Sequence, residues 1–328
     1  MLFCLSSCAQ DKLPAVLTDA VFANFGDYNS DNNCLLYFGI DVDEKKKEMT
    51  SSSIRVRFLE TGKEIVLQNN ILTPAIGWLD RSHVLIEAST AVGEERAFGD
   101  WKSFLIRYDV FTHQQDTLPG SWYNSSNKAE NFTASNNRLF YTIAYGSEQM
   151  KINHWIERSI VTGESRFIKQ YENGSFSILT YQYLPGTDEI IYIKARGKEK
   201  EVIRLSLLTG EEKIVTSISF RNIEESSAII DKKFYYIVRE LPEDGLDRFD
   251  WKKVRYLLKS LDLKTGLTSE IYASKDEITK ISPYKGNALL LSIQENLIDS
   301  VSKKFDLPSG GEVSVGLDVR SYIYELKL

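Results

Sequence analysis

Three histidines, three cysteines and a few carboxylate-rich turns are the residues of this chain with the most chemistry to offer. His83, His113 and His154 are not spaced from one another, or from a Cys or carboxylate, as a metal-ligand set requires. Structural roles in turns (His83, His113) and beside Trp155 (His154) are expected instead. Asp41-Val42-Asp43-Glu44 begins like a calcium loop but lacks its glycine and distal glutamate, and reads as a solvated loop. Gly146-Ser147 and Gly174-Ser175 lack the flanks of a nucleophile elbow, and there is no P-loop or dinucleotide fingerprint. No cofactor and no metal are therefore expected. A site assembled from distant strands needs no local motif, so an enzyme acting on polysaccharide or peptide in a central funnel stays open as the alternative reading.

The richer signal is recognition chemistry. Three long connections are expected over residues 91–101, 241–251 and 296–319. They carry Arg96, Phe98, Asp100 and Trp101, then Asp247, Arg248, Phe249 and Trp251, then Lys303, Lys304 and Phe305. Trp122, Tyr123 and Tyr171 fall in links between units. Aromatic and charged residues mixed on long loops suit a surface for protein, peptide or glycan, because loops on a rigid scaffold are where binding residues concentrate. The binding set expected is Arg96, Phe98, Trp101, Trp122, Tyr123, Asp247, Arg248, Phe249 and Trp251. The bland alternative is that these aromatics only pin the loops down. The 296–319 and 241–251 loops are expected to meet as a continuous lip.

What must hold such loops is a repeat. Leu59-Glu60-Thr61-Gly62-Lys63, Ile160-Val161-Thr162-Gly163-Glu164, Leu207-Leu208-Thr209-Gly210-Glu211 and Leu263-Lys264-Thr265-Gly266-Leu267 share one pattern. Val110-Phe111-Thr112-His113-Gln114 is a degenerate copy. Each follows an apolar, aromatic-rich run and precedes a shorter one, which is a β-hairpin whose glycine takes the left-handed conformation. The turns fall at 62, 113, 163, 210 and 266, spaced 51, 50, 47 and 56 residues apart. A repeat near 50 residues with several strands per unit marks a β-propeller.

Tyr324-Glu325-Leu326-Lys327 aligns with Leu261-Asp262-Leu263-Lys264 at the chain end, leaving the last unit one strand short. Residues 13–24 read as a lone strand, and 13–21 is the natural filler, since strands from both termini closing one ring remove exposed edges. The expectation is all-β: a six-bladed β-propeller in one domain, 13–328, with its ring closed by the N-terminal strand joining the C-terminal blade.

Residues 1–12 read as a truncated signal and tether. Leu5-Ser6-Ser7-Cys8 resembles the bacterial lipobox, in which the cysteine is lipidated, and polar Ala9-Gln10-Asp11-Lys12 follows at once. The basic region and most of the apolar region of a signal peptide do not precede it, and a plain apolar tail is the other reading. No other segment approaches the roughly 20 apolar residues of a membrane span, so contact with a membrane is expected through the lipid anchor on Cys8 alone. With Cys4 and Cys8 so placed, Cys34 is left without an intramolecular disulfide partner and reads as a buried small hydrophobe. Asp116-Thr117-Leu118 and Asp299-Ser300-Val301 resemble the O-glycosylation tripeptide of exported proteins. Hydrophobic content of 42%, charged content of 26% and a net charge of −6, with no basic block longer than Lys45-Lys46-Lys47, argue against a nucleic-acid partner.

Through the repeat, and through the loosely W-x-x-D-like element Gly77-Trp78-Leu79-Asp80-Arg81-Ser82-His83, the chain resembles TolB-like six-bladed propellers. The resemblance is particularly to the lipoproteins of this architecture in Bacteroidetes. It lacks the Ser-Pro and the glycine of the TolB-type element. The leading expectation is a monomeric cell-envelope lipoprotein, periplasmic or surface-exposed, that binds an envelope protein, peptide or glycan without catalysis.

Overall fold

The apolar runs of this chain bury both of their faces, which selects a ring of radial sheets over a single sandwich. In β20 (Lys233–Glu240), Phe234, Tyr236 and Val238 pack toward one neighbouring sheet while Tyr235 and Ile237 pack toward the other. A strand's side chains alternate between faces, so a continuous apolar run is a strand covered on both sides. A computed structural model shows the outcome. It describes residues 13–18, 22–43, 45–46, 48–69, 75–91, 101–118, 123–124, 129–135, 137–145, 152–172, 177–184, 186–197, 199–219, 222–241, 254–306 and 312–328.

Among these residues the regular structure is all strand. After β1 (Ala15–Leu17), blade one is β2 (Phe22–Asn29), β3 (Cys34–Asp43), β4 (Glu48–Phe58) and β5 (Glu64–Asn69). Blade two is β6 (Ala75–Trp78), β7 (His83–Ala91) and β8 (Trp101–Asp109), its outer edge shared by β9 (Gln115–Thr117) and β10 (Tyr123–Asn124). Blade three is β11 (Ala129–Ser135), β12 (Arg138–Tyr145), β13 (Ile152–Ser159) and β14 (Ser165–Glu172). Blade four is β15 (Ser177–Leu184), β16 (Glu189–Arg196), β17 (Glu199–Ser206) and β18 (Glu212–Ile218). Blade five is β19 (Asn222–Ile230), β20, β21 (Arg255–Asp262) and β22 (Thr268–Ser274). Blade six is β23 (Glu277–Tyr284), β24 (Ala288–Asp306) and β25 (Glu312–Lys327).

The fourth strand of blade six is β1, antiparallel to β25 with Ala15 opposite Tyr324 and Leu17 opposite Ile323. The ring is thus closed by the N-terminal strand, as the sequence predicts. Six apolar clusters, one for each pair of adjacent blades, form the core. The cluster between blades six and one contains Leu17, which is 1% exposed, together with Phe25, Tyr37, Leu290 and Ile323.

The recurring turn joins the third and fourth strands of blades one to five. Gly62, Gly163, Gly210 and Gly266 have φ of 68–74°, and His113 of the degenerate copy takes 61°. Each donates its N–H to the residue four earlier, as Gly210 N does to Ser206 O at 2.9 Å. The residue after the third strand also donates to the turn between the first two strands, from Leu207 N to Asp188 O and from Leu263 N to Lys232 O. In blade six the same bond runs from Leu328 N to Asn287 O at 3.0 Å. Leu328 therefore corresponds to Leu263, and the alignment drawn from sequence alone is two residues out of register.

Two further expectations are corrected. Residues 13–24 are not one strand: β1 joins blade six, and β2 begins at Phe22 as the inner strand of blade one. The expected loop over 296–319 is a β-ribbon, because β24 and β25 stay paired from Val301–Leu317 to Asp306–Glu312 after an irregularity beyond Asn296. Val313, Val315, Leu317 and Val319 alternate with small or polar residues, the period of a strand. The ribbon meets blade one, through a parallel bridge of Ser302 to Glu48. The expected lip with the 241–251 loop involves residues 242–253, which lie outside the described residues.

Closure by β1 makes a test. Leu17→Ala should cost about 2–5 kcal/mol of unfolding free energy in urea titration, the range for a buried leucine. Leu208→Ala, at an 87% exposed turn position, should stay within about 0.5 kcal/mol. Equal effects would mean β1 contributes nothing to the ring.

Candidate functional site

Among the described residues, two places where blades converge gather polar groups. The first is the central channel, a cavity of about 210 Å³ lined by the inner strands of all six blades. Its polar groups bind blade to blade. Thr180 and Ser227 share a hydroxyl bond of 2.7 Å, Gln182 Nε2 donates to Ser227 O, and Ile281 N donates to Ser226 Oγ. Asp27 accepts from Trp78 N at 3.3 Å and from Ser282 Oγ at 3.2 Å, tying blade one to blades two and six. Lys280 donates to Gly26 O and lies 5.8 Å over the Phe25 ring. Burial raises the Asp27 carboxyl against the opposing pull of Lys280 and of its hydrogen bonds. Burial likewise lowers the Lys280 ammonium, with Asp27 opposing.

The second place is a cleft of about 610 Å³ over blades four, five and six, within the roughly 300–1,000 Å³ of ligand pockets. It opens on the face that carries the connections from second to third strands and the links between blades. The starts of β19 and β23 supply Asn222, Glu224, Glu225, Glu277 and Thr279. The end of β20 supplies Arg239, and β17 supplies Lys200. Arg239 Nε stands 3.3 Å from Glu224 Oε1, and neither atom completes a hydrogen bond despite being buried. Burial raises the Glu224 carboxyl, Arg239 opposes, and Glu277 and Glu225 raise it further. Tyr256, 5% exposed behind them, is raised by burial and then by Glu277. Burial alone lowers the Lys200 ammonium. Three carboxylates beside two cations, one of the carboxyls raised by burial, can bind a charged ligand or hold a proton for acid–base chemistry.

The residues singled out from sequence divide as follows. Arg96, Phe98, Trp122, Asp247, Arg248, Phe249, Trp251 and Cys8 lie outside the described residues. Trp101 opens β8 opposite Ala91, and Tyr123 in β10 is opposite Ser103, so their backbones share one end of blade two, on the cleft's face. His83 sits in a turn, where Asp80 Oδ1 accepts from Ser82 N, His83 N and the His83 ring. His113 Nδ1 lies 3.0 Å from Tyr108 OH, and His154 packs edge-on to Phe167. None of the three lines the channel or the cleft. Cys34 is 1% exposed among apolar side chains, and its thiol is pushed up to about 12. Among the described residues, no group of three or more His, Cys, Asp or Glu is placed to hold a metal ion.

Lys200, Glu224, Arg239, Glu277, Asp27 and Lys280 are not in the sequence-derived set. Their signal was present: a charge inside an otherwise apolar strand, as in Ile278-Thr279-Lys280-Ile281 or Lys200-Glu201-Val202-Ile203. Only the fold shows that these interruptions face common spaces.

With this geometry in hand, the chain is similar to several solved propellers. It aligns with oligogalacturonate lyase from Vibrio parahaemolyticus at a TM-score of 0.52 and 13% identity, over 87% of this chain and 91% of that one. An oligogalacturonate lyase in complex with manganese gives 0.50 and 10%, over 94% and 90%. The acylaminoacyl peptidase of Pyrococcus horikoshii gives 0.54 and 11%, over 92% of this chain and 52% of that one. These likenesses establish the six-bladed propeller and no more. No protein-family model matches the chain, and no curated protein does.

Two outcomes follow. Lys280→Met removes the positive charge beside Asp27 and should cost about 3 kcal/mol or more. Asp27→Asn/Lys280→Met should lose less than the sum of the single changes, and strict additivity in denaturant titrations would refute the coupling. Glu224 has a folded proton affinity above its ordinary 4.5. Its contribution to stability is therefore present below that value and lost as pH rises through the raised one. Glu224→Gln should raise Tm at pH 7–8 and leave it unchanged near pH 4. A Tm that falls at pH 7 would show Glu224 to be a net stabilising partner of Arg239.

Proposed function

We propose that this protein is a non-catalytic binding module of the bacterial cell envelope. It is read as a TolB-like propeller lipoprotein of the Bacteroidetes type, tethered through Cys8, that presents one propeller face to a protein, peptide or glycan. The observation that carries this reading is the cleft on the connection face. Its charged side chains are positioned by strand ends of three blades, and Glu224 Oε1 and Arg239 Nε are buried there without a hydrogen-bond partner among the described residues. The long 91–101 and 241–251 connections leave β7 and β20 on that same face, and the reading takes Arg96, Phe98, Trp101, Trp122, Tyr123, Asp247, Arg248, Phe249 and Trp251 as binding residues. The opposite face consists of tight hairpin turns such as Thr209-Gly210.

One observation favours a second reading. Burial and the nearby Glu277 raise the Glu224 carboxyl in the cleft, and acid–base catalysis on a polysaccharide or peptide would use a carboxyl held protonated in this way.

The test has two arms. On glycan and peptide arrays, Arg248→Ala/Phe249→Ala should weaken binding by about an order of magnitude, with Tm little changed because exposed loop changes cost within about 0.5 kcal/mol. Glu211→Ala, in the opposite-face turn, should leave binding alone. The reverse pattern would place recognition on the turn face, and array ligands returned cleaved would favour the enzyme. In cell fractionation of the precursor, Cys8→Ala should move the protein from the detergent phase to the soluble phase. Persistent membrane association with no acyl mass on the wild type would remove the lipoprotein reading.

A further inference from the structure

Lys200 is the least explained charge in the molecule. It is 5% exposed, and its side chain lines the cleft. Lysine is almost never buried unless paired. Here no hydrogen bond or ion pair engages its ammonium among the described residues. Its place is fixed by the sheet: β17 holds it opposite Ala195 of β16 and Ile218 of β18, neither of which offers a polar side chain. Three carboxylates line the same cleft, yet none comes within ion-pair distance of it. Glu224 is committed to Arg239 at 3.3 Å. Glu225 and Glu277 stand on the inner strands of blades five and six with no ion pair of their own among the described residues. The cleft therefore holds an unmatched cation on blade four and unmatched anions on blades five and six.

That separation selects a ligand. A pure anion drawn to Lys200 would meet Glu225 and Glu277, and a pure cation drawn to the glutamates would meet Lys200. A neutral sugar would leave Lys200, 5% exposed, without a counter-charge. A molecule with separated charges of both signs gives Lys200, Glu225 and Glu277 each a counter-charge. We propose that the cleft takes a short peptide with both ends free, its terminal carboxylate received by Lys200 and its terminal ammonium by Glu225 and Glu277. Leu179 and Ile223 line the space between and provide an apolar surface for side chains. This rests on the binding-module reading and narrows it to one ligand class at one site.

The experiment is calorimetric titration of the full chain with trialanine, its N-acetyl form, its C-terminal amide and the doubly capped form. Free trialanine should bind, and each single cap should weaken binding at least tenfold. Lys200→Met keeps the length and apolar stem of the side chain, so its Tm should be unchanged or higher. It should bind the free acid and the amide equally weakly. Glu277→Gln should lose discrimination against the N-acetyl form instead. The proposal is overturned if caps make no difference, if Lys200→Met binds free trialanine as the wild type does, or if no form binds. Binding that ignores the caps, or array binding to glycans alone, would retain the binding module while removing this ligand class.

Discussion

Each blade of this protein buries both faces against its neighbours, so no blade is finished until the ring is. That constraint governs everything else. Six apolar clusters sit between blades and none within a single blade, so an open ring would leave two apolar sheet faces in water. The pairing of β1 with β25 is what closes it, and Leu17 carries that pairing into the core. The channel groups add direction to the closure. Asp27 bonds to both neighbouring blades, and Lys280 reaches back across the seam to Gly26 O. Apolar burial makes the ring compact, while these bonds fix which strand edges face each other.

The functional face follows from the same geometry. A ring that turns every inner strand toward one axis also gathers the starts of those strands on one face. Glu224, Glu225 and Glu277 are at such starts, and Arg239 and Lys200 are at adjacent strand ends. Charges that would be scattered along a sandwich are brought over one cleft. Burial in this cleft leaves a glutamate that holds its proton more tightly and a lysine that gives it up more readily.

The fold was legible because its punctuation is local. The Thr-Gly turn needs a left-handed residue at one position, and that requirement repeats wherever a third strand meets a fourth. The closing strand could be argued from a missing partner. The inner strand of blade one was not legible, since Gly26, Asp27 and Asn29 break its period, and those residues are polar because they serve the channel and the neighbouring turn. The β24–β25 ribbon was legible in Val313, Val315 and Leu317 but was taken for a loop because of its length. The cleft was hidden for a different reason: no sequence spacing relates Lys200 to Glu277, and only the ring places blade four beside blades five and six. Of the residues chosen for their aromatic and charged character, Trp101 and Tyr123 fall in strands, β8 and β10.

The closing contact also sets the order of assembly. Hairpins within blades two to five join strands close in sequence, whereas Leu17 meets Ile323 from the far end of the described chain. Loop-closure entropy grows slowly with length, by about 0.6 kcal/mol per doubling, so the distance costs little in final stability. Its weight falls on rate, because non-local pairing slows folding. Until β1 docks, β25 presents an unpaired edge and the seam between blades six and one stays open. The seam is thus the last joint to form, and a nearly finished chain can still take a strand from another molecule in place of its own.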